Sequence, residues 1–380
     1  MDFETVGEAA LRLNVTNRTI QKWAKQGKLK GSIKHGNSWM ILKNAVPDEK
    51  NRIPLPLLRA SFPVGNALEY IKNIPDFDDR TIALGEYYLF SGDFEKTIEI
   101  SDPYINSNDL YLAYSARLLC IFANILKGHI QASKSLSEIM IDKITTDINL
   151  KTSPEFKAFL ILIANIGSVL LKLEVPKTPP LEKYLHYLPN GLRLFGCYIL
   201  AFKAYREKNY IRTVSICETA ISMCNSLYPV AAAFSHMIAA SGYISIMDIE
   251  NAKKHFNLSH KLYYPDKFFM LTGIHYKYLQ GLLESCIKND FPNEYSQVMR
   301  IAQNFSHSWI KLHMHDTDTL LHSLSSIELS IGYLYSRGWQ KKEIASYLGV
   351  SVSKVKKHIQ IIYETLNVQT KSELTHYLQD

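Results

Sequence analysis

The chain has few cysteines, and nothing in their spacing suggests pairing. Its 380 residues include five cysteines, an odd number, spread widely and without a Cys-x-x-Cys pair. An odd number of scattered cysteines fits reduced thiols better than a disulfide framework or a zinc site. The pattern is typical of reduced thiols, so we expect a cytoplasmic protein whose fold depends on neither disulfides nor zinc.

Sequence motifs of common catalytic and nucleotide-binding sites are also lacking. The sequence contains no Gly-rich phosphate loop, no Gly-x-Ser-x-Gly elbow and no His-Glu-x-x-His pair. Histidines are frequent in the segment 307–322. His313 and His315, however, lie two residues apart on a predicted helix and would point in different directions. We therefore expect no enzymatic activity, no cofactor and no metal site.

No apolar run is expected to be long enough to cross a membrane, so the sequence predicts no membrane partner. The start Met1-Asp2-Phe3-Glu4 is acidic, whereas a signal peptide begins with a basic region followed by an apolar one. The share of hydrophobic residues, 47%, is enough for a sizeable core, and the 21% charged residues suit a globular surface.

Positive charge is concentrated at the two ends of the chain. The net charge is +7; residues 1–52 contribute +5 and residues 324–380 contribute +2, so the middle is neutral. Because DNA phosphates attract basic surfaces, this distribution favours nucleic-acid binding by the ends.

Between residues 64 and 322 apolar residues recur at helical spacing, which predicts a helical region. Short breaks interrupt it near residues 92, 128, 208, 247 and 289, about 40 residues apart except for one longer gap. Gly85-x-x-Tyr88-x-x-x-Gly92 and Ala201-x-x-Ala204-Tyr205 resemble tetratricopeptide helix hairpins, which implies a helical-repeat solenoid. We therefore predict a mainly α fold whose central region, 64–322, senses a signal or mediates dimerisation.

The segment 324–380 is predicted to form four short helices. Ser325 would cap the first, Lys341 to Leu348 would form the second, and Ser351 would cap a third from Val352 to Leu366. The break at Leu348-Gly349-Val350-Ser351 is typical of a helix-turn-helix. The third helix has an apolar stripe, and its opposite face carries Ser353, Lys354, Lys356, Lys357 and Gln360.

This segment resembles the LuxR/GerE-type DNA-binding domain. The resemblance rests on Leu324-Ser325-x-x-Glu328, Glu343-Ile344-Ala345-x-x-Leu348-Gly349-Val350-Ser351, Val355-Lys356-x-His358 and Lys371-x-Glu373-Leu374. It implies that the third helix enters the major groove of DNA, where Lys356, Lys357 and Gln360 face the bases. Ser353 and Lys354 would then lie near the DNA backbone. It also implies that the fourth helix pairs two subunits. Lys354 departs from the family, which usually has threonine there.

The first 52 residues are predicted to form two helices and a small hairpin. Thr5 would cap the first helix, Asn17 to Gln26 would form the second, and Gly36-Asn37 lies between alternating apolar residues. The segment resembles the winged helix-turn-helix of excisionases and the MerR group, chiefly through Gly36-Asn37-Ser38-Trp39-Met40-Ile41. The resemblance implies that the second helix faces the DNA groove and the wing approaches phosphate. The implied DNA-binding residues are Arg18, Gln21, Lys22, Lys34 and His35.

Together these features predict a homodimeric transcription regulator that binds double-stranded DNA. A peptide or small molecule bound by the helical middle would change the spacing of the DNA-binding domains, and RNA polymerase is a further candidate partner. A constitutive regulator whose middle serves only dimerisation fits equally well. The alternative from another class is a helical-repeat scaffold whose terminal domains hold proteins; the first domain in particular could have kept its fold for protein contacts.

Overall fold

The chain folds into two compact units, Met1–Ile53 and Pro54–Asp380. The computed structural model describes residues 3–13, 15–25, 29, 31–43, 45, 54–149, 152–224, 226–313 and 324–379. The three segments expected from the sequence therefore form two compact units, because the predicted segments 64–322 and 324–380 share the second one.

The first unit is a pair of helices beside a three-stranded sheet. Its elements are β1 (Phe3–Thr5), α1 (Val6–Arg12), α2 (Asn17–Lys25), β2 (Ile33–His35) and β3 (Ser38–Leu42). The strands are antiparallel in the order β1-β3-β2, with Phe3 opposite Leu42 and Ile33 opposite Met40. The predicted hairpin is present, whereas β1 was not expected from the sequence.

Local signals explain where the helices of this unit begin. The Thr5 hydroxyl accepts a hydrogen bond from the Glu8 amide, and the Glu8 carboxylate accepts one from the Thr5 amide at 2.8 Å. This reciprocal capping satisfies two amides that the first helical turn would leave unpaired. The Thr16 hydroxyl likewise accepts from the Thr19 amide at the start of α2. Ile20 and Ile41 are fully buried between the helices and the sheet.

The regular elements of the second unit, among the residues that the structure describes, are helices. Its helices are α3 (Ala67–Lys72), α4 (Phe77–Ser91), α5 (Phe94–Ser101), α6 (Leu110–Lys127), α7 (Ile130–Asp147), α8 (Pro154–Leu171), α9 (Asn190–Arg206), α10 (Tyr210–Ser222), α11 (Pro229–Ser245), α12 (Ile249–Tyr263), α13 (Met270–Leu279), α14 (Leu282–Cys286), α15 (Pro292–His313), α16 (Ser326–Ser336), α17 (Lys341–Leu348), α18 (Val352–Leu366) and α19 (Lys371–Gln379). The mainly α fold expected from the sequence is confirmed.

Four of the breaks predicted in the helical middle, near residues 92, 128, 208 and 247, join consecutive helices that pack against each other, and the fifth, near residue 289, lies between α14 and α15. Gly92 and Gly128 end α4 and α6 in the left-handed conformation, with φ of 92° and 81°, which a glycine adopts without strain. Asp93 and Asp248 then accept backbone hydrogen bonds at the start of α5 and α12. The longer gap near residue 180 contains no further hairpin, because residues 172–180 have no regular secondary structure and are followed by two short 3₁₀ turns.

Late helices of the middle pack against early ones: α13 packs against α4, and α15 packs against α6. Phe90 of α4 and Phe234 of α11 meet with ring centroids 6.2 Å apart. The Asp266 carboxylate accepts the backbone amides of Gly65 and Ala67 at 2.8 and 3.0 Å. In an open solenoid each repeat contacts only its neighbours. Here the closure adds contacts between segments about 200 positions apart along the chain.

Two helices of the middle, α6 and α11, are buried on all sides rather than along one stripe. Every residue from Leu112 to Leu126 is buried, including Arg117, and so is every residue from Pro229 to Gly242. The expectation that no apolar run could cross a membrane was wrong by length and composition, since Leu110–Lys127 and Pro154–Leu171 both meet those criteria. Their apolar windows are 83% and 67% buried inside the protein, as in core helices.

Candidate nucleic-acid interfaces

Helix α18 packs along one apolar face against α16 and α17. Val355, Ile359, Ile362 and Leu366 are buried, and Val352 is half-buried. The Ser351 hydroxyl accepts the Lys354 amide at 3.2 Å, so the helix begins where the sequence predicted. Gly349 has φ of 64° and ends α17 in the left-handed conformation. A tight turn therefore joins α17 to α18, which is the connection that a helix-turn-helix requires.

The opposite face of α18 exposes the residues that were assigned to DNA. Ser353, Lys354, Lys356, Lys357 and Gln360 are all exposed. In the part of the chain that the structure describes, the three lysines have no carboxylate partner. Gln360 does have one, because its amide donates to the Glu364 carboxylate at 2.9 Å. The face is therefore basic near the start of α18 and mixed in charge one turn later, a feature that the sequence reasoning missed.

A buried carboxylate connects α18 to α16, and the sequence reasoning did not assign it a role. Glu328 accepts from the Ser325 amide at 2.7 Å and lies 3.2 Å from the Nδ1 of His358. Burial raises the pKa of Glu328, but the hydrogen bonds from Ser325 and His358 outweigh it and hold the pKa below its ordinary value. Because His358 belongs to α18, this contact fixes the helix relative to the capped start of α16.

Two further lysines of the same domain flank one aromatic ring. The Nζ of Lys371 lies 4.6 Å from the ring centroid of Tyr335, and that of Lys341 lies 5.7 Å from it. Both distances are within the range of cation–π attraction. Lys341 begins α17 and Lys371 begins α19. The fold therefore brings the starts of these two helices together at the Tyr335 ring.

The first unit exposes a second set of basic and polar side chains. Arg18, Gln21 and Lys22 of α2 are exposed, while Ile20 and Ala24 on the opposite side are buried. On the hairpin Lys34 and His35 are exposed, directly before the Gly36-Asn37 turn. The assigned residues thus all lie on the surface, on α2 and on the β2–β3 wing.

Glu4 of the first unit is buried and pairs with Arg12. Glu4 is only 7% exposed and accepts from the Nε of Arg12 at 2.9 Å. Arg12 also donates to the carbonyl of Ala45 at 2.9 Å. In contrast, Arg18, Lys22 and Lys34 have no carboxylate partner among the residues that the structure describes. No described carboxylate therefore neutralises these three positive charges at the surface.

A shallow cleft of about 600 Å³ lies beside the start of α7 and opens widely to solvent. It is lined by Gly128, His129, Ile130, Gln131, Ala132, Lys134 and Lys311. In the described ranges no group of three or more histidine, cysteine or carboxylate side chains could hold a metal ion. His315 and the other residues of the segment 314–323 lie outside the described residues.

One protein family matches the chain. A family model described as a helix-turn-helix domain matches residues 5–46, which run from the Thr5 cap through α1, α2 and the hairpin. The chain therefore carries an N-terminal helix-turn-helix domain. Such a domain suggests DNA as a partner. No curated protein and no solved structure matches the chain.

Proposed function

We propose that the protein is a sequence-specific DNA-binding transcription regulator that acts as a homodimer. The observation that carries this proposal is the exposed face of α18, where Lys354, Lys356 and Lys357 have no carboxylate partner among the residues that the structure describes, while the opposite face is buried. The resemblance of 324–380 to LuxR/GerE-type domains supports the same role, as does the helix-turn-helix match at the other end of the chain.

In the proposed complex α18 lies in the major groove. Lys356 and Lys357 reach guanine O6 and N7 or a phosphate, and Gln360 pairs with adenine. Gln360 must first leave Glu364, to which it donates in the free protein. The Glu364 carboxylate is then repelled by the DNA phosphates. A half-site is bound tightly only if its base contacts outweigh this repulsion.

In the same proposal the N-terminal domain binds adjacent DNA. Arg18, Gln21 and Lys22 face the groove, and Lys34 and His35 on the wing approach phosphate. The helical middle binds a signal or partner, RNA polymerase being one candidate, and its hairpins resemble tetratricopeptide pairs. We propose a cytoplasmic protein without enzymatic activity.

The test is selection of bound DNA by the purified full-length protein at two salt concentrations. Wild type should recover a partly palindromic motif at both. Lys356→Ala/Lys357→Ala should bind it more weakly, and the slope of log K against log salt should flatten by about 2, because each phosphate contact contributes about 0.9. The matched control is Lys143→Ala/Lys261→Ala, which removes two exposed lysines from α7 and α12.

The outcomes separate the alternatives. Equal loss in the control would mean that net charge, rather than the α18 face, drives binding. A double variant that binds as tightly as wild type would show that the assigned face is wrong. Capture that is independent of DNA sequence, or no capture, would favour the scaffold, and the search would move to protein partners. Removing residues 1–52 should shorten the protected DNA if the first domain reads it.

A further inference from the structure

Arg337, at the end of α16, joins the C-terminal helices to the helical middle. Its Nη2 donates to the Tyr205 hydroxyl at 3.0 Å, and its Nη1 donates to the Ser245 hydroxyl. The guanidinium also lies over the rings of Tyr205 and Tyr210, 5.8 and 5.5 Å from their centroids. These three partners come from α9, α10 and α11, so one side chain reaches three helices of the middle.

The partners of Arg337 are neutral. In the part of the chain that the structure describes, no carboxylate pairs with it. The Gln280 side-chain amide instead donates to the same two hydroxyls, at 3.3 Å to Tyr205 and 3.2 Å to Ser245. A partly buried guanidinium without a counter-ion recovers only part of its lost hydration. The contact therefore rests on hydrogen bonds to two hydroxyls and on cation–π attraction to two tyrosine rings.

A second contact lies where α17 meets α14. Gln280 and Gly281 both have positive φ, 47° and 86°, and the chain passes close beneath Leu348 and Tyr347. A Cβ on Gly281 would come within 2.5 Å of Leu348 and 3.0 Å of Tyr347. The Nζ of Lys253 on α12 lies over the Tyr347 ring at 5.7 Å. We call the Arg337 contact and this one together the joint.

Buried polar atoms without a hydrogen-bond partner collect at the joint. Among the described residues they include the Nε of Arg337, the Nε1 of Trp339, the Oε1 of Gln280 and the Oε2 of Glu284. Buried groups left in this way are unfavourable, and water would satisfy them if the two sides separated. Ile331, Leu334, Ile344, Val355 and Ile362 of the C-terminal helices are buried in an apolar cluster that continues into the helical middle.

We propose that Arg337 is a positioning residue: it fixes the four-helix domain α16–α19 to the helical middle and so sets the direction in which α18 is presented to DNA. The inference rests on the proposed function for the DNA part, and the joint can be tested without DNA. The α18 face is exposed in the docked arrangement. The joint therefore governs the spacing of two half-sites that a dimer can bind, while binding to one half-site remains.

The joint is tested first by hydrogen exchange on full-length Arg337→Met. Amides of 281–286 should exchange about tenfold faster or more, because the joint opens locally, while those of 355–366 keep their protection. Arg212→Met, which removes an exposed arginine from α10, should leave both segments unchanged. Unchanged exchange in 281–286 would overturn the proposal, and so would equal acceleration in 355–366, since Arg337 would then serve only the folding of the C-terminal domain.

The DNA readout uses duplexes that carry the two selected half-sites at spacings varied by single base pairs. Wild type should prefer one spacing, whereas Arg337→Met should bind a single half-site within about twofold of wild type and lose the preference. An unchanged preference would overturn the positioning role. If the wild-type protein bound no DNA, the proposed function would be wrong. The exchange experiment would still test whether Arg337 holds the C-terminal helices to the helical middle.

Discussion

The buried histidine His275 makes a prediction about acid stability that can be worked out from its surroundings. It is 1% exposed, its Nδ1 donates to the Leu271 carbonyl at 2.6 Å, and its Nε2 accepts from the Tyr198 hydroxyl at 3.0 Å. Burial lowers the pKa of His275 to about 4 from an ordinary value of 6.5, and the hydrogen bond to Leu271 opposes the shift only in part. Both ring nitrogens are satisfied when the ring is neutral.

The direction in which stability changes with pH follows from the pKa values of His275 in the unfolded and the folded protein. The unfolded chain takes up a proton near pH 6.5, and the folded protein does not until about pH 4. The stability contributed by neutral His275 is therefore fully present above the unfolded pKa and is lost as the pH falls from 6.5 toward 4. At about pH 5 the loss amounts to about 2 kcal/mol, since each pKa unit is worth about 1.4 kcal/mol.

The assay is urea unfolding followed by helical circular dichroism at about pH 7.5 and about pH 5. His275→Gln should be less stable than wild type at the higher pH, but its stability should fall by about 2 kcal/mol less between the two. The control is His186→Gln, which replaces an exposed histidine and should keep the wild-type pH dependence. Parallel pH dependence for wild type and His275→Gln would refute the reasoning, because the ring would then be able to hold a proton in the fold.

Two further substitutions test the packing and the capping. Gly191→Ala should destabilise the second unit by about 3 kcal/mol, because its Cβ would lie 2.2 Å from the Arg59 carbonyl oxygen. Gly167→Ala should be tolerated, because there the closest atom is at 3.4 Å; equal losses in thermal unfolding would contradict this. Ser325→Ala should cost about 1 kcal/mol by removing the cap and one partner of Glu328, and Ser325→Thr should restore most of it. A Ser325→Ala protein with unchanged melting would show that the cap is not needed.

The terminal helices could be predicted closely because their boundaries are set by neighbouring residues. The predicted second and third helices of the C-terminal domain agree with α17 and α18 residue by residue. Ser351 and Gly349 act within one helical turn, so their effect is visible in the sequence. The exposed positions of the assigned residues on α18 and α2 also follow from helical periodicity. Whether those residues bind DNA stays a prediction for the experiments above.

Strand β1 and the burial of α6 could not be predicted in this way. Phe3–Thr5 is too short to show an alternation, and it is a strand because Met40–Leu42 offers it an edge. On α6 the helical spacing of apolar residues predicted burial along one face only. The structure buries Arg117 at 5% exposure together with the rest of the helix, since other helices cover α6 on every side.

Local signals in the sequence were thus enough for the N-terminal helix-turn-helix domain, the boundaries of α17 and α18, the helical middle and the basic faces. These depend on caps, turns and periodicity, which act over a few residues. Contacts between distant segments decided the closure of the middle and the site at which the C-terminal helices dock. Arg337 shows the difference: in the sequence it is an arginine at the end of a helix, where a basic side chain is ordinary. Its role comes from Tyr205, 132 positions away along the chain, and only folding brings the two together.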